Sequence, residues 1–161
     1  MMKWRFALLP LSFVAALAVA ADKEPPPINI SAAQALAAYD RFRRAPEQNL
    51  KEAPTFLNFM QGGSVHTVLN SNVVFWMYRD IAPDAQAVLY AAYMGGNLDS
   101  QLRGSKHGDD PEAGMRATLI AYRGLQKTHP KLVIPEFEPL AQAEARGKLR
   151  AAVDALSQPT H

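Results

Sequence analysis

Several prolines stand at positions where helices are expected to begin or end. Pro46 and Pro130 stand where helices should end, whereas Pro54, Pro83 and Pro111 stand where helices should begin, because proline fits the first turn of a helix and breaks its interior. Between these positions, apolar residues recur every three or four residues, which is the period of a helix with one buried side. The sequence therefore predicts an all-α fold, a compact bundle of about five helices.

Side chains that cap helices support two of the predicted starts. Ser31 is followed three residues later by Gln34, the pattern of a capping box. Asp110 precedes Pro111 and Glu112, which gives an N-cap, a first-turn proline and a first-turn acid. We expect helices to begin at both places. A last helix is predicted from an apolar stripe that runs from Ala141 to Leu156.

Residues 65–78 are apolar on nearly every side in their second half. A helix with no polar face is normally surrounded by other elements, so we expect this segment to be the helix at the centre of the core. The β-branched and aromatic run at residues 73–76 leaves a buried strand open as an alternative.

Gly95 and Gly96 lie inside the stretch that follows Pro83. Two glycines cost a helix interior roughly 2 kcal/mol relative to alanine. Two explanations remain open: the helix breaks there, or a second helix crosses so closely that only glycine fits.

The first twenty residues have the three parts of a secretory signal peptide. Lys3 and Arg5 form a basic start, residues 6–19 are apolar, and small residues end at Ala20. We expect cleavage after Ala20, a proline-rich spacer at 21–30, one helical domain at 31–157 and a short tail at 158–161. The expected location is periplasmic or secreted, with no membrane attachment after cleavage because no later stretch is apolar enough to span a bilayer.

Charge argues against two classes of partner. The chain has 17 basic and 15 acidic residues, and loss of Lys3 and Arg5 with the signal peptide would leave 15 of each. A chain without net charge has no general attraction for nucleic acid or anionic lipid. We therefore predict neither as a partner.

No pattern in the sequence indicates catalytic or metal-binding chemistry. Cysteine is absent, and the four histidines lack the four-residue spacing of a helical zinc site. Residues 62–66 do not complete the Gly-x-Ser-x-Gly pattern of a serine hydrolase. We predict no catalytic residue, no metal and no cofactor, and the chain is more simply explained without enzymatic activity.

Polar residues within the apolar segment suggest a first candidate site. His66, Asn70 and Asn72 would lie near one another if residues 65–78 were helical. Buried imidazole and amide groups need hydrogen-bond partners. This group is therefore a candidate pocket lining, and hydrogen bonding inside the core is the simpler alternative.

A second candidate site is the polar segment at residues 97–110. It contains amides, acids, bases and a histidine, and its glycines allow close approach to a partner. The candidate partner-binding residues are Asn97, Asp99, Gln101, Arg103, Lys106, His107 and Asp109. A solvated connecting loop is the plainer interpretation of the same segment.

Three functional hypotheses follow from these features. The first is a periplasmic protein-binding module that contacts another envelope protein as an inhibitor, immunity factor or assembly accessory. The second is a small-molecule binding protein or enzyme with its pocket near His66. The third is a helical-repeat or homo-oligomeric structural protein, suggested by similar Ala-Tyr phrases that end at Tyr39, Tyr93 and Tyr122.

Overall fold

The structure, a computed structural model, describes residues 29–104 and 107–158. Within these ranges there are six α-helices and no strand, which confirms the all-α prediction. The helices are α1 (Ala32–Arg44), α2 (Ala53–Phe59), α3 (Pro83–Arg103), α4 (Pro111–Thr128), α5 (Phe137–Ala145) and α6 (Leu149–Ser157). Short 3₁₀ helices cover Leu50–Glu52 and Phe75–Tyr78, and a wide helical turn covers Met60–Ser64. The predicted signal peptide, most of the spacer and the last three residues lie outside the described ranges.

Both predicted capping patterns are confirmed. At α1 the Ser31 hydroxyl accepts a hydrogen bond from the Gln34 backbone N–H, and the Gln34 side chain accepts from the Ser31 N–H. At α4 the Asp110 carboxylate accepts from the Ala113 N–H. These bonds satisfy N–H groups that a helix start leaves without partners.

Helix α3 is the centre of the core, with residues 91–98 all buried. It continues without a break through the glycine pair, where neighbouring helices approach it closely. A Cβ atom at Gly95 would overlap the Tyr39 ring of α1, and one at Gly96 would lie 2.7 Å from Ala117 Cβ on α4. Close crossing is thus the correct explanation of the two glycines. The bundle can place α1 and α4 against α3 only because these side chains are missing.

The prediction of a central helix at residues 65–78 is wrong. Residues 66–70 have no regular secondary structure, and only Phe75–Tyr78 forms a helical turn, of the 3₁₀ type. At Asn70 the side chain accepts a hydrogen bond from the Asn72 backbone N–H, as in a turn. Such local bonding competes with helix formation. Val73, Val74 and Trp76 are nevertheless buried in the core.

The predicted last helix is divided into α5 and α6. Gly147 adopts a φ of 67° between them, a conformation that glycine reaches without steric cost. The Lys148 N–H donates to the Ala143 carbonyl at 2.8 Å and closes the turn. Phe137 and Leu140 of α5 and Leu149 and Val153 of α6 enter the common core. The two helices form an α-hairpin at the C-terminal end of the described chain.

Candidate functional site

An open groove of about 860 Å³ lies between residues 71–79 and the α5–α6 hairpin. We call it the C-terminal groove. Its lining is mainly apolar, with a few amide, hydroxyl and charged groups. The lining residues are Ser71, Asn72, Phe75, Tyr78, Arg79, Glu136, Pro139, Leu140, Ala152, Ala155, Leu156 and Gln158. A volume of this size lies within the range of known ligand pockets.

The first wall is shaped by the 3₁₀ helix Phe75–Tyr78. Residues three apart eclipse one another in a 3₁₀ helix, so Phe75 and Tyr78 both line the groove. Trp76 points to the opposite side and is fully buried, with its ring centroid 5.4 Å from that of Phe137. Tyr78 is 73% exposed. This wall is therefore anchored in the core by Trp76 and presents the Tyr78 ring to solvent.

The second wall consists of short side chains on α6 and the start of α5. Ala152 and Leu156 are one helical turn apart and line the groove together with Ala155, whereas Leu149 and Val153 face the core. The division follows from the helical period, which separates two apolar sides on the same short helix. The alanines leave the space that makes this surface concave.

Polar links join the two walls at both ends of the groove. At one end the Arg79 guanidinium forms an ion pair with Glu136 Oε1. At the other end, Asn70 Nδ2 donates to the Ser157 carbonyl at 3.2 Å. The second carboxylate oxygen of Glu136, Oε2, is buried and has no hydrogen-bond partner within the described residues. The C-terminal groove therefore has a mainly apolar lining and one arginine–glutamate ion pair.

The first predicted site is not assembled as the helical spacing suggested. His66 is exposed, and its backbone N–H and carbonyl bond to the Gln101 side chain at 3.1 and 2.7 Å. Asn70 forms the turn and the link to Ser157. Asn72 is the one member of the three that lines the C-terminal groove. The three share no helix face because residues 66–70 are not helical.

Much of the second predicted site forms internal hydrogen bonds. Asn97 is completely buried. Its Oδ1 accepts from Gln101 Nε2 at 2.6 Å and from the Asp110 N–H at 3.2 Å, while its Nδ2 donates to Asp109 Oδ1 at 2.6 Å. Asn97 and Gln101 thereby fasten residue 66 and residues 109–110 to the end of α3. Asn97 thereby satisfies the buried Asp110 N–H, and Gln101 bonds to the more exposed backbone of His66.

Arg103 forms a second internal link. Its guanidinium donates to both carboxylate oxygens of Asp40, at 3.0 and 2.6 Å, and to Asp99 at 2.6 Å. The hydrogen bond from Arg103 holds the pKa of the Asp40 carboxyl below its ordinary value. His107 is exposed, and Lys106 lies outside the described residues. That this segment contacts a partner stays a prediction, for which Arg103 and His107 provide the exposed side chains.

Sequence reasoning missed the main residues of the C-terminal groove, namely Phe75, Tyr78, Arg79, Glu136 and Leu156. A three-residue aromatic spacing is visible at Phe75 and Tyr78, but it indicates one face only if the turn is known to be 3₁₀. Arg79 and Glu136 are 57 positions apart in the sequence. No local pattern pairs them, because their contact depends on where α5 packs.

A smaller cavity of about 400 Å³ lies between the start of α3 and the end of α4. Glu47 and His129 meet at its edge, with Oε1 and Nε2 2.6 Å apart, and Thr128 donates to Glu47 Oε2 at 2.8 Å. The hydrogen bond from His129 is the main reason that the pKa of Glu47 is below its ordinary value. Both side chains are about half exposed, and their bond joins the segment after α1 to α4.

Within residues 29–104 and 107–158, no three His, Asp or Glu side chains are placed to bind one metal ion. Across the same residues, no helix has the length and apolar character required to span a bilayer. Comparison with protein-family models, curated proteins and solved structures found no match to this chain. The C-terminal groove is therefore the structural feature from which a binding function can be proposed.

Proposed function

We propose that the protein is an exported binding protein that holds an apolar segment of another envelope protein in the C-terminal groove. The observation that carries the proposal is an apolar groove of about 860 Å³ with Tyr78 exposed on its wall. Tyrosine and arginine are enriched among the residues that dominate binding energy at protein interfaces, and Tyr78 and Arg79 are adjacent here. Burial of the groove's apolar surface would supply the driving force.

The backbone hydrogen bonding of the two walls favours a helical segment as the occupant of the groove. One wall consists of helices α5 and α6, whose backbone groups bond within each helix. In the other wall, the Val73, Val74, Met77 and Arg79 N–H groups donate to carbonyls of residues 70–76. Neither wall offers a free strand edge, so recognition depends on side-chain burial. An amphipathic helix that inserts apolar residues meets this requirement.

Export is part of the proposal and rests on the sequence of the first twenty residues. A basic start, an apolar run and small residues at a cleavage position form the pattern of a secretory signal. Purification from a periplasmic fraction, followed by N-terminal sequencing, tests this part separately. A mature chain that begins at Ala21 is expected, and a cytoplasmic chain that retains Met1 would contradict export.

Site-specific photo-crosslinking tests the binding function. A photo-reactive benzoylphenylalanine at position 78 should form an adduct with one envelope protein in cells. The variant Ala155→Trp places a large ring in the groove and should abolish the adduct, whereas Ala151→Trp lies on the same helix outside the groove lining and should preserve it. Thermal unfolding should confirm that both variants are folded.

The proposal fails if no adduct forms at position 78, or if Ala155→Trp leaves the adduct unchanged. A small apolar molecule is the second candidate occupant, because the groove volume also suits such ligands. Native mass spectrometry would then detect a bound compound that Ala155→Trp removes and Ala151→Trp retains. That result without a protein adduct would replace the proposed function with small-molecule binding.

A further inference from the structure

The C-terminal end of α6 forms part of the rim of the C-terminal groove. Ala155, Leu156 and Gln158 line the groove, and α6 ends at Ser157. The last four carbonyl groups of an α-helix have no partner within the helix. The chemistry that this part of the rim accepts therefore depends on which donors reach those carbonyls.

Few donors among the described residues reach the last carbonyls of α6. Asn70 Nδ2 donates to the Ser157 carbonyl at 3.2 Å. Gln158 has an extended backbone, and its N–H forms no bond back to α6, whereas the residue after each of the other five α-helices donates to its helix. Pro159 follows in the sequence and has no N–H. The carbonyls of residues 154–156 thus have no donor within the described residues.

The same end of α6 carries negative charge without a compensating base. A helix C-terminus is equivalent to roughly half a negative elementary charge, and α6 has no basic residue in its last turn. Asp154 in that turn is exposed and forms no hydrogen bond or ion pair with the described residues. Arg150, one turn earlier, pairs with Glu112 of α4 at 3.0 Å. A positive group from outside the described chain would therefore be stabilised at this end.

The facing wall is compatible with a positive group. The Tyr78 side chain is 73% exposed and lines the groove, and the face of a tyrosine ring attracts ammonium and guanidinium groups. Elsewhere in the lining, Arg79 and Glu136 form an ion pair with each other. The preference for an added cation is therefore confined to the part of the groove beside the end of α6.

We infer that the segment held in the C-terminal groove is an amphipathic helix with a lysine or arginine that meets the last turn of α6. Its ammonium or guanidinium group donates to the carbonyls of residues 154–156 and lies beside the Asp154 carboxylate. The apolar side chains of the segment cover Phe75 and Leu156. The inference rests on the proposed function, and it adds the charge of the occupant and the end of the groove at which that charge lies.

The adduct of benzoylphenylalanine at position 78 provides the test. Asp154→Lys should reduce the adduct yield about fivefold in an envelope extract, as expected for reversal of one charge at a helix end. The reduction should disappear when salt rises from about 0.1 M to about 1 M, because the screening length falls to about 3 Å. Mass spectrometry of the digested adduct should find a lysine or arginine within about two helical turns of the crosslinked residue.

A charge exchange makes the test specific. Replacing that lysine or arginine of the partner by glutamate should reduce the adduct with the unmodified chain and restore it with Asp154→Lys. Asp84→Lys is the matched control, since Asp84 is exposed in the first turn of α3, has no ion pair with the described residues and lies outside the groove lining. It makes the same change of charge and should leave the yield unchanged.

Thermal unfolding separates loss of binding from loss of structure. Asp154→Lys should keep or raise the thermal midpoint, because a positive charge suits a helix C-terminus. The inference is overturned if Asp154→Lys and Asp84→Lys give equal adduct yields, or if the crosslinked segment has no basic residue in the stated range. Either result would leave the binding function intact. Absence of any adduct at position 78 would remove the proposed function and this inference with it.

Discussion

The Tyr39 ring of α1 lies directly against the backbone of Gly95 in α3. A Cβ atom at position 95 would overlap ring carbons Cδ2 and Cε2. Tyr39 also stacks on Phe42 with ring centroids 6.3 Å apart, and meets Phe56 of α2 edge-on at 5.6 Å. The missing side chain thus determines how closely α1 and the aromatic cluster approach the central helix.

Gly95→Ala should destabilise the protein by about 1–3 kcal/mol, because the added methyl group must displace a buried aromatic ring. Gly124→Ala is the matched control on α4, where no atom lies within 4 Å of the added Cβ. The control should be neutral or stabilise by up to about 1 kcal/mol through helix propensity. Urea unfolding measures both. Equal midpoints for the two variants would contradict the close approach.

Removal of the hydroxyl group should change the free energy of unfolding differently at two buried tyrosines. The Tyr93 hydroxyl has no hydrogen-bond partner among the described residues, whereas the Tyr122 hydroxyl accepts from the Ile134 N–H at 2.8 Å. Tyr93→Phe should preserve or slightly raise the free energy of unfolding. Tyr122→Phe should lower it by about 1–3 kcal/mol, because a buried N–H loses its partner.

Chemical denaturation of the two phenylalanine variants decides this prediction. A clear loss of stability in Tyr93→Phe would show that the hydroxyl has a partner, such as a bound water. The comparison is matched, because each variant removes one oxygen atom from a buried tyrosine.

The Asp40–Arg103 pair should make stability depend on pH. The hydrogen bond from Arg103 lowers the pKa of Asp40, so the pair stabilises the folded state above the ordinary aspartate pKa. This contribution is lost as pH falls through the lowered pKa. Asp40→Asn should cost less than about 1 kcal/mol at neutral pH because the pair is solvated, and the deficit should vanish in acid.

Thermal unfolding from pH 7 down to about pH 2, well below the ordinary aspartate pKa, follows this difference. Asp154→Asn serves as the control, since Asp154 is exposed on α6 and forms no hydrogen bond or ion pair with the described residues. A deficit in Asp40→Asn that persists unchanged in acid would rule out the charged pair as its cause.

Gln101 should hold the backbone of His66 in place, because its side chain bonds to both the N–H and the carbonyl of that residue. Gln101→Ala removes both hydrogen bonds to the His66 backbone and one to Asn97. We expect faster amide exchange at His66 and a loss of about 0.5–1.5 kcal/mol in stability, because the freed His66 backbone groups are exposed and can bond to water. Gln142→Ala removes one exposed bond to Glu138 and should do neither. Unchanged exchange at His66 would show that Gln101 does not fasten this segment.

The elements that could be predicted are those with local determinants. The capping box at Ser31 and the Asp110-Pro111 start act through neighbouring residues, so the sequence suffices to place them. Residues 65–78 could not be placed, because an apolar composition permits a helix, whereas the structure has a turn at Asn70 whose side chain also bonds to the distant Ser157 carbonyl. Helical spacing was assumed for His66, Asn70 and Asn72, and the structure does not place them on one helix face; that they line a pocket stays a prediction.

By itself, the sequence determined where most helices begin and end, since caps, prolines and apolar periodicity act over only a few residues. Tertiary structure decided how the helices meet. It resolved the two explanations of Gly95, brought Arg79 to Glu136, and used Asn97 and Gln101 for internal bonds. The C-terminal groove depends on contacts between distant residues, and packing of the chain sets those distances.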